Sequence, residues 1–179
     1  MVENKTVMKA AVAKADAALL QVNSLLLPVT GALLLVPQLA IAEVLSSGDL
    51  GAEDLLLDEL SLSPHCYGWI CWRDQVVPLL SFASIYSGYR PPLDLDLKVV
   101  ICNAVFKASA TGFYALVVTG FPRATRLSIE SEMVLKGSLS NDEGVQMLVT
   151  IDGEEALIPD FDFIEQIVYD IVKKKEKSI

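Results

Sequence analysis

The apolar residues of the chain change period several times, and each change marks an element. Over 5 to 22, apolar side chains fall at 8, 11, 12, 15, 18, 19 and 22, one face of an alanine-rich helix. Residues 24 to 37 then read "SLLLPV", Thr30-Gly31, "ALLLVP", two strands around a tight turn. "LAIAEVLSS" follows, with Glu43 alone in an apolar segment, and 46 to 65 mixes Gly, Ser, acidic residues and leucines as a loop with a helical turn. In "GWICWRDQVVPLLSF", 68 to 82, apolar runs at 69 to 72 and 76 to 80 are joined by the polar triplet Arg73-Asp74-Gln75. "YSGYRPPLDLD" is a turn-rich connection.

"KVVICNAVF" and "GFYALVV" predict a second hairpin around "KASAT", and the pattern breaks at Gly120-Phe121-Pro122. "GVQMLVTIDGEEALIP" predicts a third, with Asp152-Gly153 at its turn. "DFDFIEQIVYDIVKKK" sets Phe161, Ile164, Ile167, Val168 and Ile171 on one helical face and ends in lysines that suit the helix dipole. Closely spaced short strands with helices at the two ends predict a mainly β protein of the small-barrel type with N- and C-terminal helices. The divisions expected are a helical extension at 1–23, a domain at 24–172 and a basic tail at 173–179.

The stretch 17 to 42 is free of charge and long enough to span a bilayer. Pro28, Gly31 and Pro37 would break helical hydrogen bonds that lipid cannot replace, so a hairpin is the better reading of the same letters. The net charge of −9 argues against a nucleic-acid partner, and the only cationic cluster is "KKKEK" at 173 to 177. Three cysteines, Cys66, Cys71 and Cys102, make no disulfide framework and fit a reduced, cytoplasmic protein without a secretory signal.

Catalytic chemistry finds little footing. His65 beside Cys66 and Cys71 suggests soft metal ligands, but a closed zinc site needs four and the chain has one histidine. No Gly-x-Ser-x-Gly elbow, Walker loop or dinucleotide fingerprint occurs. Glu154-Glu155 reads as solvated after its turn, and Asp160 and Asp162 as helix caps. No enzyme, cofactor or metal is expected. Trp69 and Trp72 stand three apart and so belong on opposite faces of a strand, buried together only if both faces are covered. Arg73 and Asp74 pair with each other in the simplest reading; otherwise Arg73 reaches a carboxylate on another protein.

With those residues in view, "GWICWRDQVVPLLSF" resembles the signature of CheW-like domains, "G-x-x-N-L-R-G-x-x-x-P-V-x-D-L", with Gly68, Arg73 and Pro78 at matching positions. "LLLVPQLAIAEVL", with Ile41 and Glu43 in register, "FYALVVTGFPRATRLS" and "IDGEEALIPDFDFI" resemble further pieces in the family's order, over roughly 24 to 170. The departures are Cys71-Trp72 for Asn-Leu, Asp74 for glycine and Thr119 for aspartate. "W-x-x-W-R-x-x-x-V-P-L-x-S-F" resembles the ChpC branch, linked to type IV pili and twitching motility.

The resemblance implies two SH3-like β-barrels over a shared apolar core. It also implies an adaptor that couples a methyl-accepting chemotaxis receptor to a CheA-type histidine kinase. By that analogy Ile41, Glu43 and Arg73 face the receptor tip, with Trp72 and Asp74 beside them, and Asp74 either holds Arg73 locally or leaves it free. The competing expectation is a β-barrel sensor for a small molecule, with Trp69 and Trp72 as an apolar pocket wall.

Overall fold

The computed structural model describes residues 21–57, 63–93, 96, 98–105, 112–127, 133–135 and 144–177. The helix expected over 5 to 22 lies outside them except at its end, where the chain is already strand. β1 (Val22–Val29) pairs with β2 (Ala32–Pro37), Val29 opposite Ala32 across Thr30-Gly31. The uncharged stretch is therefore a hairpin, as its prolines and glycine required. Among the described residues no helix is long and apolar enough to cross a membrane.

The chain continues through β3 (Ile41–Ser46), β4 (Leu55–Leu57), β5 (Cys66–Trp72), β6 (Gln75–Leu80), the short helix α1 (Phe82–Ser87) and β7 (Lys98–Asn103). It ends with β8 (Phe113–Val118), β9 (Arg123–Leu127), β10 (Met133–Leu135), β11 (Val145–Ile151), β12 (Glu154–Pro159) and α2 (Phe161–Lys177). The described strands form two six-stranded sheets, ordered β10-β11-β12-β2-β1-β9 and β3-β7-β8-β6-β5-β4. Each is antiparallel apart from one parallel contact, β12 with β2 and β6 with β8.

The second and third hairpins form as the turn signals predict, Lys98 opposite Val118 in one and Ile151 opposite Glu154 in the other. Several elements were hidden, among them β9 and β10, which follow the break at Gly120-Phe121-Pro122. β4 lies in the segment read as a loop, and α1 lies at the end of the apolar run, capped where the Ser81 hydroxyl accepts from Ser84 N at 3.1 Å. The boundaries also shift. Val22 and Asn23 pair with Leu127 and Arg126, so the first strand begins inside the stretch read as helical extension, and α2 carries the lysines at 173 to 175 that the helix-dipole reading placed in its last turn.

One apolar core is shared by both sheets and both helices. It takes Leu27 and Leu34 from the first sheet, Trp69, Val100 and Leu116 from the second, and Ile164, Val168 and Ile171 from α2. Burying each of those three helix side chains is worth about 1.5–3 kcal/mol, which is what docks α2. Each sheet also curls around an interior of its own. In the second sheet that interior draws on every strand, from Leu45 in β3 to Trp72 in β5 and the half-buried Leu55 in β4. The barrels expected for this fold are not closed, however. Among the described residues no ladder joins β3 to β4 or β9 to β10.

Trp69 and Trp72 confirm the alternation argument. Trp69 faces the shared core, Trp72 faces the second sheet's interior, and they are 6% and 8% exposed. Since they lie on opposite faces of β5, they cannot line one pocket. The sensor expectation loses its binding wall.

Candidate functional site

β5 and β6 are joined by a two-residue turn, with Trp72 opposite Gln75. Both turn residues are left-handed, Arg73 at φ 48° and Asp74 at φ 61°. That is the type I′ geometry whose twist matches a hairpin, here without the usual glycine. Compare Asp152 at φ 52° and Gly153 at φ 81°, where glycine takes the second position. The consequence for Arg73 is placement at the tip of a stiff hairpin, its side chain 68% exposed.

Arg73 does not pair with Asp74. Its Nη2 lies 3.0 Å from Oε2 of Glu43, and the same oxygen accepts a 2.8 Å hydrogen bond from Nε1 of Trp72. Neither the spacing nor the pattern of the sequence announces this triad, because β3 and β5 are separated in the sheet by β7, β8 and β6. The curl of the sheet brings them together, and Glu43 clasps the sheet where the backbone ladder is missing. The Trp72 indole is packed by Phe113 edge-on, with centroids 4.9 Å apart, and by the Arg73 guanidinium 4.9 Å from its ring centre. Trp72 thus supports the site from beneath. Asp74 stands exposed beside Arg73 at the tip of the hairpin.

Ile41 is not part of that triad. The register slips between Ile41, opposite Cys102, and Glu43, opposite Ile101. This bulge adds one residue, so Ile41 turns with Val44 toward the shared core while Glu43 turns with Leu45 toward the sheet interior. The apolar surface near Ile41 comes instead from Leu39, 89% exposed in a 3-10 turn. Asn103 Nδ2 fixes that turn by donating to the Leu39 carbonyl at 2.9 Å. Leu39 and Phe113 are the residues that sequence reasoning missed. The proline-initiated turn at Pro37 was the one available signal, since a short turn at the surface buries only part of its side chains, here Ala40 and not Leu39.

Several other chemistry-bearing groups among the described residues are in structural use. Cys66 Sγ donates to the Gly68 carbonyl at 3.1 Å, and His65 Nδ1 meets the Ser84 hydroxyl at 3.1 Å. Burial pushes the Cys102 thiol up to about 12 and the Tyr114 hydroxyl well above its ordinary value, so both are inert. Among the described residues no three His, Cys, Asp or Glu side chains gather as metal ligands. The groove between the β1–β2 turn, Tyr86 and Leu157 is lined by neither tryptophan.

No protein-family model and no curated protein sequence matches the chain. Among solved structures, the scaffolding protein TtCheW from Thermoanaerobacter tengcongensis superposes with a TM-score of 0.58 at 12% identity. The match covers 78% of this chain and 88% of that one. The chain has a CheW fold. At that identity the likeness speaks for backbone architecture alone. The Glu43–Trp72–Arg73 triad is therefore presented on a CheW-fold frame by the hairpin that carried the sequence resemblance.

Proposed function

We propose that this chain is a non-enzymatic cytoplasmic adaptor that holds a methyl-accepting chemotaxis receptor and a CheA-type histidine kinase in fixed relative positions. The observation that carries the reading is the presentation of Arg73. An arginine is held on a rigid type I′ turn by Glu43 and Trp72, and its side chain remains 68% exposed. The CheW fold supports the same reading, as TtCheW is a scaffolding protein. An adaptor of this kind needs no reaction centre, only surfaces whose geometry is fixed. A pre-oriented guanidinium meets a partner carboxylate with little ordering cost, and Leu39 supplies apolar area on the β3 side of the site.

The finer assignment is to the ChpC branch and so to type IV pili and twitching motility. It is supported by the two tryptophans ahead of Arg73 and by Asp74 in the glycine position. The deciding measurement is co-sedimentation of the purified protein with receptor-containing membranes and kinase, comparing wild type with Arg73→Ala. The variant is expected to fold normally and to bind about 1–3 kcal/mol more weakly, the loss of a charge-assisted hydrogen bond. Undiminished recruitment of a folded Arg73→Ala protein would overturn the reading. Deletion of the gene is expected to impair twitching, and unaltered twitching would remove the pilus assignment while leaving the adaptor.

A further inference from the structure

Three side chains at the site carry charge, and they do not cancel. Arg73 Nη2 lies 3.0 Å from Oε2 of Glu43, so the cation is already matched by a carboxylate of this chain. Asp74 is exposed and, among the described residues, makes no hydrogen bond or ion pair. One guanidinium against two carboxylates leaves the site net negative, although an arginine stands at its centre. The backbone at Asp74 adds a second observation. The residue sits at φ 61°, in the left-handed region where a Cβ crowds the chain and glycine is at ease. At the same place in the β11–β12 turn this chain does use glycine, Gly153 at φ 81°. Aspartate tolerates such a position best when its carboxylate bonds to nearby backbone, and Asp74 makes no such bond among the described residues. The side chain therefore costs the hairpin stability that no described contact restores.

Such a tip is a poor match for a surface that offers acidic groups alone. A carboxylate that approaches Arg73 also meets Asp74 and Glu43, and like charges set against each other across an interface are strongly disfavoured. We infer that Asp74 is a specificity-determining residue of this surface, and that the protein partner presents a lysine or arginine to Asp74 beside the carboxylate it presents to Arg73. This specificity rests on the adaptor reading and sharpens it. The guanidinium is pinned by Glu43 at 3.0 Å and against the Trp72 ring at 4.9 Å, and Asp74 follows it on a two-residue turn, so the two charges cannot change places. A partner that carries the pair in reverse, or acids only, is refused by repulsion rather than by lack of contact.

The test is a co-sedimentation titration of the full chain with receptor-containing membranes and kinase, comparing wild type with Arg73→Ala, Asp74→Gly and Asp74→Lys. Asp74→Gly removes the charge and relieves the backbone, so it should unfold in urea no earlier than wild type yet bind about threefold more weakly. Asp74→Lys sets a cation against the partner's cation and should bind at least about tenfold more weakly. Single Lys→Glu and Arg→Glu changes across the partners should include one that weakens the wild type and restores Asp74→Lys, a result that misfolding could not produce. Undiminished binding of both Asp74 variants, with Arg73→Ala impaired, would overturn the inference and leave the adaptor standing. So would a scan in which no charge reversal restores Asp74→Lys. Undiminished binding of Arg73→Ala as well would bring down the adaptor reading itself, so the two failures are separate results.

Discussion

Glu43 offers the sharpest test of how the site is held. One oxygen, Oε2, accepts from the buried Trp72 indole at 2.8 Å and from the exposed Arg73 guanidinium at 3.0 Å. These two bonds differ in worth. Trp72 is 8% exposed, so removing its acceptor strands an indole N–H away from water, at a cost of about 1–3 kcal/mol. The ion pair is largely solvated and contributes about 0–1 kcal/mol. Glu43→Ala should therefore destabilise the fold by about 1–4 kcal/mol, Glu43→Gln by about 1 kcal/mol or less because an amide oxygen still accepts, and Arg73→Ala by no more than about 1 kcal/mol. Urea unfolding followed by tryptophan fluorescence reads all three, at constant m-value. On a Trp72→Phe background, where no indole N–H remains, Glu43→Ala should cost only the ion pair. If glutamine proves as damaging as alanine, or Arg73→Ala as damaging as Glu43→Ala, the clasp is electrostatic and the hydrogen-bond argument is wrong.

Other positions give independent checks. Because Arg73 pairs with Glu43 and not with Asp74, a double-mutant cycle on Arg73 and Asp74 should show coupling near zero, below about 0.3 kcal/mol, whereas Arg73 with Glu43 should show more. Gly144 has φ +76°, and a Cβ there would stand 3.6 Å from Phe163 and far inside contact with Ile85; Gly144→Ala should cost about 2–4 kcal/mol by chemical denaturation. Glu165 is fully buried and accepts from the Val105 amide at 2.6 Å, so Glu165→Ala should lose about 2–3 kcal/mol and Glu165→Gln less; an alanine as stable as wild type would refute this. Only Cys71 is half-buried while Cys66 and Cys102 are buried, so one thiol per chain should react with a thiol reagent under native conditions. The Cys102 pKa is raised from 9.0 to about 12 by burial, so the unfolded chain loses that proton first. Its contribution is complete below pH 9 and is lost as pH rises toward 12, up to about 4 kcal/mol at about 1.4 kcal/mol per pH unit. Cys102→Ala should flatten the stability profile above pH 9, and an unchanged slope would count against the assignment.

Local signals carried the hairpins. Thr30-Gly31 and Asp152-Gly153 turn where their backbone preferences require, and alternation correctly sent Trp69 and Trp72 to opposite faces. α2 was legible from its period, with Asp160 as its cap through the bond from Phe163 N at 3.1 Å. The short elements were not. β4 has three residues and no alternation to read, and α1 is one and a half turns at the end of an apolar run. At the site, the hairpin and the exposure of Arg73 could be reasoned from letters, but its partner could not.

What the sequence determined by itself is whatever rests on neighbours along the chain: turn chemistry, strand alternation and helical period. What only the tertiary structure decided is everything that joins distant segments. The curl of the second sheet brings Glu43 on β3 to Trp72 and Arg73 on β5, and a one-residue bulge sends Ile41 away from them. Both depend on the twist and register of a sheet assembled from six strands, and twist and register are set by packing on the shared core, not by the residues that they bring together.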